Sequence, residues 1–177
     1  MPTVLGARFS DGVVIAGDKR EVNDGRVVSD DLERVVGLEN VAVGSAGSPR
    51  ELEDLTRTVD KELRNYANRN ERPVSAAAFE RILASACQHA NADCLGAVRT
   101  DDGHARLLRV DDDGGVMRDQ TAAIGSGAAI ASGQLETLET DQSTSDGADS
   151  LEQILSVVHD RDTETGSTID SVIVGDQ

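Results

Sequence analysis

Residues 3–20 read TVLGARFSDGVVIAGDKR, and this stretch decides the fold. Thr3 to Phe9 and Gly12 to Asp18 are two Val-rich runs on either side of Ser10-Asp11-Gly12, the pattern of a β-hairpin. Working outward, Asn23-Asp24-Gly25 predicts a further turn before Arg26-Val27-Val28. Arg34 to Leu38 and Asn40 to Ala46 predict two more short strands, divided at Glu39-Asn40. The first quarter of the chain is therefore all strand, and helices follow abruptly. Ser48-Pro49-Arg50-Glu51 combines an N-cap serine, a proline at the first helical position and a glutamate at the third, a capping box. Behind it Leu52, Leu55, Val59, Leu63 and Tyr66 recur at helical spacing. A second helix is expected from about Ser75 to Ala92, after the break at Pro73. Strands return at Asp93 to Arg99, Ala105 to Val110, Val116 to Arg118 and Thr121 to Ile124. Two more helices, Ala128 to Leu138 and Ala148 to Val158, precede a last strand over Thr168 to Val174. Strands and helices segregated in this way argue α+β, and two helix pairs need two sheet faces to cover. The expectation is a four-layer αββα sandwich in a single domain over 1–177.

Composition narrows the partners. Seventeen basic residues stand against 33 acidic ones, a net charge of −16. Nucleic-acid backbones and anionic membrane surfaces are therefore not expected partners, since both depend on clustered positive charge. Leu, Ile, Val and Phe make up 42 of the 177 residues, enough to build a core and to argue against disorder. Only Lys19 and Lys61 are lysines, and the acids are dispersed along the whole chain. That pattern suits a protein kept hydrated by its own carboxylates in high salt, as in a halophile. No signal peptide and no membrane-length apolar run is visible, so a cytoplasmic location is expected. Cys87 and Cys94 lack metal-type spacing and are expected as small core residues.

Several segments match a known family. Thr3-Val4-Leu5-Gly6, followed by Asp11 to Arg20, resembles the start of proteasome core subunits and of the related HslV peptidase, members of the N-terminal nucleophile hydrolase superfamily. Asn40 to Gly47 resembles the family's second-hairpin segment, Ile124-Gly125-Ser126-Gly127 its glycine-serine-glycine turn, and Arg161 to Gly166 with Ile169 to Val174 its late loop and strand. The match spans nearly the whole chain in order. It implies an αββα fold, stacked rings of identical or related subunits around a proteolytic chamber, and an ATPase partner. The family's chemistry uses an N-terminal threonine whose hydroxyl attacks a peptide carbonyl while its own α-amine, with a pKa near about 8, takes the proton.

Carried over residue by residue, that site is altered. Without gaps from Asp18, the nucleophile position falls on Pro2, and Thr3 falls one residue later, where strand alternation turns it to the other face. Asp18 and Arg20 match the family. The catalytic lysine position holds Arg34, which does not release its proton near neutrality. Ser126, Asp162 and Thr165 occupy the supporting positions, and Gly44 is assigned the oxyanion amide. The resemblance therefore implies a catalytically degenerate ring-type subunit with a structural or regulatory role. The alternative is a threonine-type endopeptidase or amidase that uses Thr3 once Met1 and Pro2 are removed; a one-residue bulge would then be needed. A third reading, an N-terminal Pro2 left by loss of Met1, offers base chemistry without an attacking oxygen.

Other motifs read more plainly. Asp111-Asp112-Asp113-Gly114-Gly115 lacks the glycine and glutamate positions of a calcium loop and reads as a solvated turn. His89, His104 and His159 share no ligand spacing, and Gly125-Ser126-Gly127 lacks the remainder of a phosphate loop. No metal and no cofactor are expected.

Overall fold

In the computed structural model, which describes residues 1–177, the opening stretch folds as its Val-rich runs and turn predict. β1 (Thr3–Phe9) pairs antiparallel with β2 (Gly12–Asp18), Val4 opposite Gly17 and Phe9 opposite Gly12. β3 (Glu21–Asn23) and β4 (Arg26–Ser29) form a separate small hairpin. Its turn needs two left-handed residues, and Asp24 (φ 49°) and Gly25 (φ 73°) supply them. β5 (Val35–Leu38) and β6 (Val41–Ser45) follow, then α1 (Pro49–Asn70) and α2 (Ala76–Ala90). The second half holds β7 (Cys94–Arg99), β8 (Ala105–Val110), β9 (Val116–Arg118), β10 (Thr121–Gly125), α3 (Ala128–Leu135), α4 (Thr144–His159) and β11 (Ile169–Gly175).

The strands assemble as a four-stranded sheet, β10-β1-β2-β11, and a five-stranded sheet, β5-β6-β7-β8-β9. Three apolar clusters separate the layers. One joins α1 and α2 to the five-stranded sheet through Leu55, Val59, Phe79 and Leu83 against Val43, Val98 and Leu108. A second fills the gap between the sheets with Val4, Ile15, Val35, Leu95 and Leu107. The third seats α3 and α4 on the four-stranded sheet, where Leu5, Phe9 and Val14 meet Leu151, Leu155 and Val158. The layer order is thus helix, sheet, sheet, helix, the expected αββα sandwich. Each fully buried Leu or Phe contributes roughly 1.5–3 kcal/mol by leaving water, so these clusters fix the angle at which the site's loops meet.

The α1 capping box is present as read: Ser48 Oγ accepts from Glu51 N–H, and Glu51 Oε2 accepts from Ser48 N–H at 2.7 Å. The helix boundaries that differ most from expectation are the start of α4 and the end of α3. α4 begins at Thr144 rather than Ala148, because Ser143 caps it and Asp146 sits in its first turn. The apolar stripe that starts at Leu151 does not report those polar first residues. α3 stops at Leu135 rather than Leu138, since the Leu138 N–H turns back to the Leu135 carbonyl. No helix is long and apolar enough to cross a membrane.

Candidate active site

Strand alternation decides which way the head of β1 faces. Leu5, Ala7 and Phe9 point into the α3/α4 layer, whereas Val4 points into the gap between the sheets. Thr3 follows Leu5. Its hydroxyl lies at the start of α3, buried, where the Gly127 N–H donates to Oγ1 at 2.9 Å. The Gly125-Ser126-Gly127 turn makes this contact possible. Gly125 takes φ +98°, a conformation that favours glycine, and a Cβ there would run into the Pro2 carbonyl. That carbonyl accepts from Ser126 N–H at 3.2 Å.

From Thr3 a chain of hydroxyls leads to a carboxylate. Thr3 Oγ1 lies 2.8 Å from Thr165 Oγ1, and Thr165 Oγ1 donates to Asp162 Oδ2 at 2.7 Å. With the Thr165 proton spent on Asp162, the Thr3 hydroxyl donates to Thr165 and accepts from Gly127. The Ser126 hydroxyl sits between the same Asp162 Oδ2, at 2.6 Å, and the Met1 carbonyl. The 162–165 loop holds its shape through Asp162 Oδ1, which accepts from Glu164 N–H at 3.1 Å. It is also held from α4, where His159 Nδ1 lies 2.8 Å from the Thr165 carbonyl. A carbonyl can only accept, so that ring nitrogen carries the proton.

Asp18 closes the other side. Its Oδ2 accepts from Thr3 N–H at 2.6 Å, and its Oδ1 from Gly166 N–H at 2.8 Å and Arg20 N–H at 2.9 Å. Burial lifts its carboxyl above the ordinary aspartate value, against these three donors and the nearby charge of Arg34. The Arg34 side chain is completely buried. Its stem lies in the gap between the sheets, with Cβ 3.8 Å from where a Gly17 Cβ would stand. Its guanidinium donates to the Gly47 carbonyl at 2.6 Å, to the Arg20 carbonyl at 3.0 Å and to the Glu21 carboxylate. Burial draws its pKa down while Glu21 and Asp18 pull it up, and an arginine so placed remains a cation.

Thr3, Asp18, Ser126, Asp162 and Thr165 therefore lie in one connected group. Arg34 adjoins it through the charge of Asp18, its own hydrogen bonds going to loop carbonyls and Glu21. Asp18 is fully enclosed, whereas Asp162 is half-buried. Gly44 lies inside β6, opposite Val35 and Leu95, where a Cβ would press on Ile15 and Val4 at 2.9 Å. Close approach of the two sheets accounts for a glycine there. Besides the amides of Thr3, Arg20 and Gly166 on Asp18, the backbone groups that meet site side chains include the Gly127 amide and the Gly47 carbonyl. Nothing in the sequence points to Gly47, Gly166, Glu21 or His159 for these contacts. Only Gly127 carried a signal, as the last glycine of a turn into a helix.

A family model described as "Proteasome subunit" matches residues 2–174. "Proteasome subunit beta 2" of Korarchaeum cryptofilum is 28% identical over 184 residues, covering 98% of this chain and 91% of that protein. "Proteasome subunit beta" of Halorhabdus utahensis is 31% identical over 174 residues, covering 93% of this chain and 73% of that protein.

Proposed function

The chain belongs to the proteasome subunit family, and from that premise we propose that it is a catalytically degenerate β-type subunit with a structural or regulatory place in a ring. One observation carries the reading. The hydroxyl at the head of β1 is buried, turned to the helix layer and engaged as both donor and acceptor, while the family's nucleophile position matches Pro2. The Thr3 nitrogen is a peptide N–H spent on Asp18, so it offers no lone pair to a substrate proton. Arg34, at the family's lysine position, donates to two carbonyls and a carboxylate, and the role it fits is a clamp between the Arg20–Glu21 and Gly47 loops. Ser126, Asp162 and Thr165 fit the role of a hydrogen-bonded scaffold kept around that centre. Dispersed acidity, together with a relative from a halophile, supports work in a salty cytoplasm. An ATPase partner follows from the family resemblance alone.

A second reading is favoured by one distance. Thr3 N lies 2.6 Å from Asp18, and its hydroxyl already joins Thr165 and Asp162. Removal of Met1 and Pro2 would leave an α-amine beside a carboxylate and a hydroxyl beside a relay, the parts of a threonine-type endopeptidase or amidase. Intact-mass measurement of the protein purified from its own cells separates the two. The first reading expects no chain beginning at Thr3; a population beginning there supports the second. Sedimentation in molar salt tests the assembly: a ring mass is expected, and a monomer at all concentrations overturns the ring.

A further inference from the structure

We propose that Cys87 and Cys94 are an oxidisable pair that closes an intrachain disulfide between α2 and β7. Cys87 lies in the last turn of α2 and Cys94 is the first residue of β7. Between them the left-handed Asn91 (φ 56°) ends the helix and turns the chain onto the sheet. This brings the two sulfurs to 2.7 Å, both fully buried in one apolar cluster. A disulfide has sulfurs at about 2.0 Å, so closure needs a movement below about 1 Å. The chain has no third cysteine to compete.

The oxidant is a hydroperoxide. One thiolate attacks its terminal oxygen and becomes a sulfenic acid, and the O–O bond breaks to leave water or an alcohol. The second sulfur then attacks the sulfenic sulfur, forming the S–S bond and releasing water. Two electrons pass from the sulfurs to the peroxide, and with hydrogen peroxide two waters leave. Burial and the neighbouring Cys87 sulfur raise the Cys94 thiol well above its ordinary value, so thiolate is scarce and oxidation is slow. Once made, the bond ties the outer helical layer to the sheet and is shielded from reductants.

Treatment of the folded protein with hydrogen peroxide in molar salt, followed by alkylation in guanidinium and trypsin, reads the bond directly. Both cysteines fall in the tryptic peptide Ile82–Arg99. The expected peptide is unalkylated, about 2 Da lighter than the dithiol and restored by reductant. The oxidised protein is also expected to melt roughly 5–10 °C higher than the reduced protein. Full alkylation of both cysteines after peroxide, addition of oxygen to either sulfur, or a disulfide between two chains would overturn the proposal.

Discussion

The two ends of the four-stranded sheet each hold an aspartate by backbone amides, with opposite electrostatic outcomes. At the site end, Asp18 accepts from three N–H groups and is fully enclosed, and burial leaves its carboxyl raised. At the other end, Asp176 accepts from Ala105 N–H at 2.7 Å and pairs with Arg8, also at 2.7 Å, near His104. Burial pushes Asp176 up as well, but Ala105, His104 and Arg8 outweigh it, and its carboxyl is lowered. The same side chain is a clasp where a cation meets it at the rim. It is a costly but indispensable acceptor where it is enclosed.

The comparison is broken most severely by Asp18→Ala. It strips the partner from three N–H groups, two of them buried, and from the field of Arg34, and should cost about 3–5 kcal/mol in denaturant unfolding. Gly127→Ala should cost about 1–3 kcal/mol, because the added Cβ would meet Val158 and stand 2.5 Å from Thr3 Oγ1; thermal unfolding checks it. Asp176→Ala, at a partly exposed pair, should cost only about 1 kcal/mol by the same denaturant measurement.

The smallest effect, and the sharpest, is the sign of the pH dependence. Native Asp18 holds its proton more tightly than the unfolded chain does. Its contribution therefore falls as pH rises from the ordinary value of 3.8 through the raised native one. Asp176 contributes stability that is present above 3.8 and is lost as pH falls through its depressed native value. Denaturant midpoints of Asp18→Asn and Asp176→Asn against the parent, across that range, should diverge in opposite directions. Parallel curves would remove the contrast between the two ends.

Much of the fold was legible because its signals are local. The Val-rich runs of residues 3–18 with their turn, the Asn23-Asp24-Gly25 turn and the Ser48–Glu51 box all act within a few residues, and each formed where read. The start of α4 was not, since its first turn at Thr144 is polar and the apolar stripe begins later. At the site, strand period alone turned Thr3 to the opposite face from the Pro2 position before it, and the structure brings Asp18, Ser126, Asp162 and Thr165 together with Thr3. The Gly47 carbonyl and the grip of His159 on the Thr165 carbonyl were not legible, because backbone groups carry no residue identity. Gly44 shows the converse: a glycine in a strand fits an amide role or a packing role equally well until the opposing sheet is in place.

The central claim is that this centre lacks a working nucleophile. It is tested most directly by hydrolysis of a fluorogenic peptide in molar salt, comparing the purified native assembly with its Thr3→Ala variant. No turnover above background is expected for either protein. Turnover by the native protein that is abolished in Thr3→Ala, with a chain beginning at Thr3 in the same sample, would contradict it.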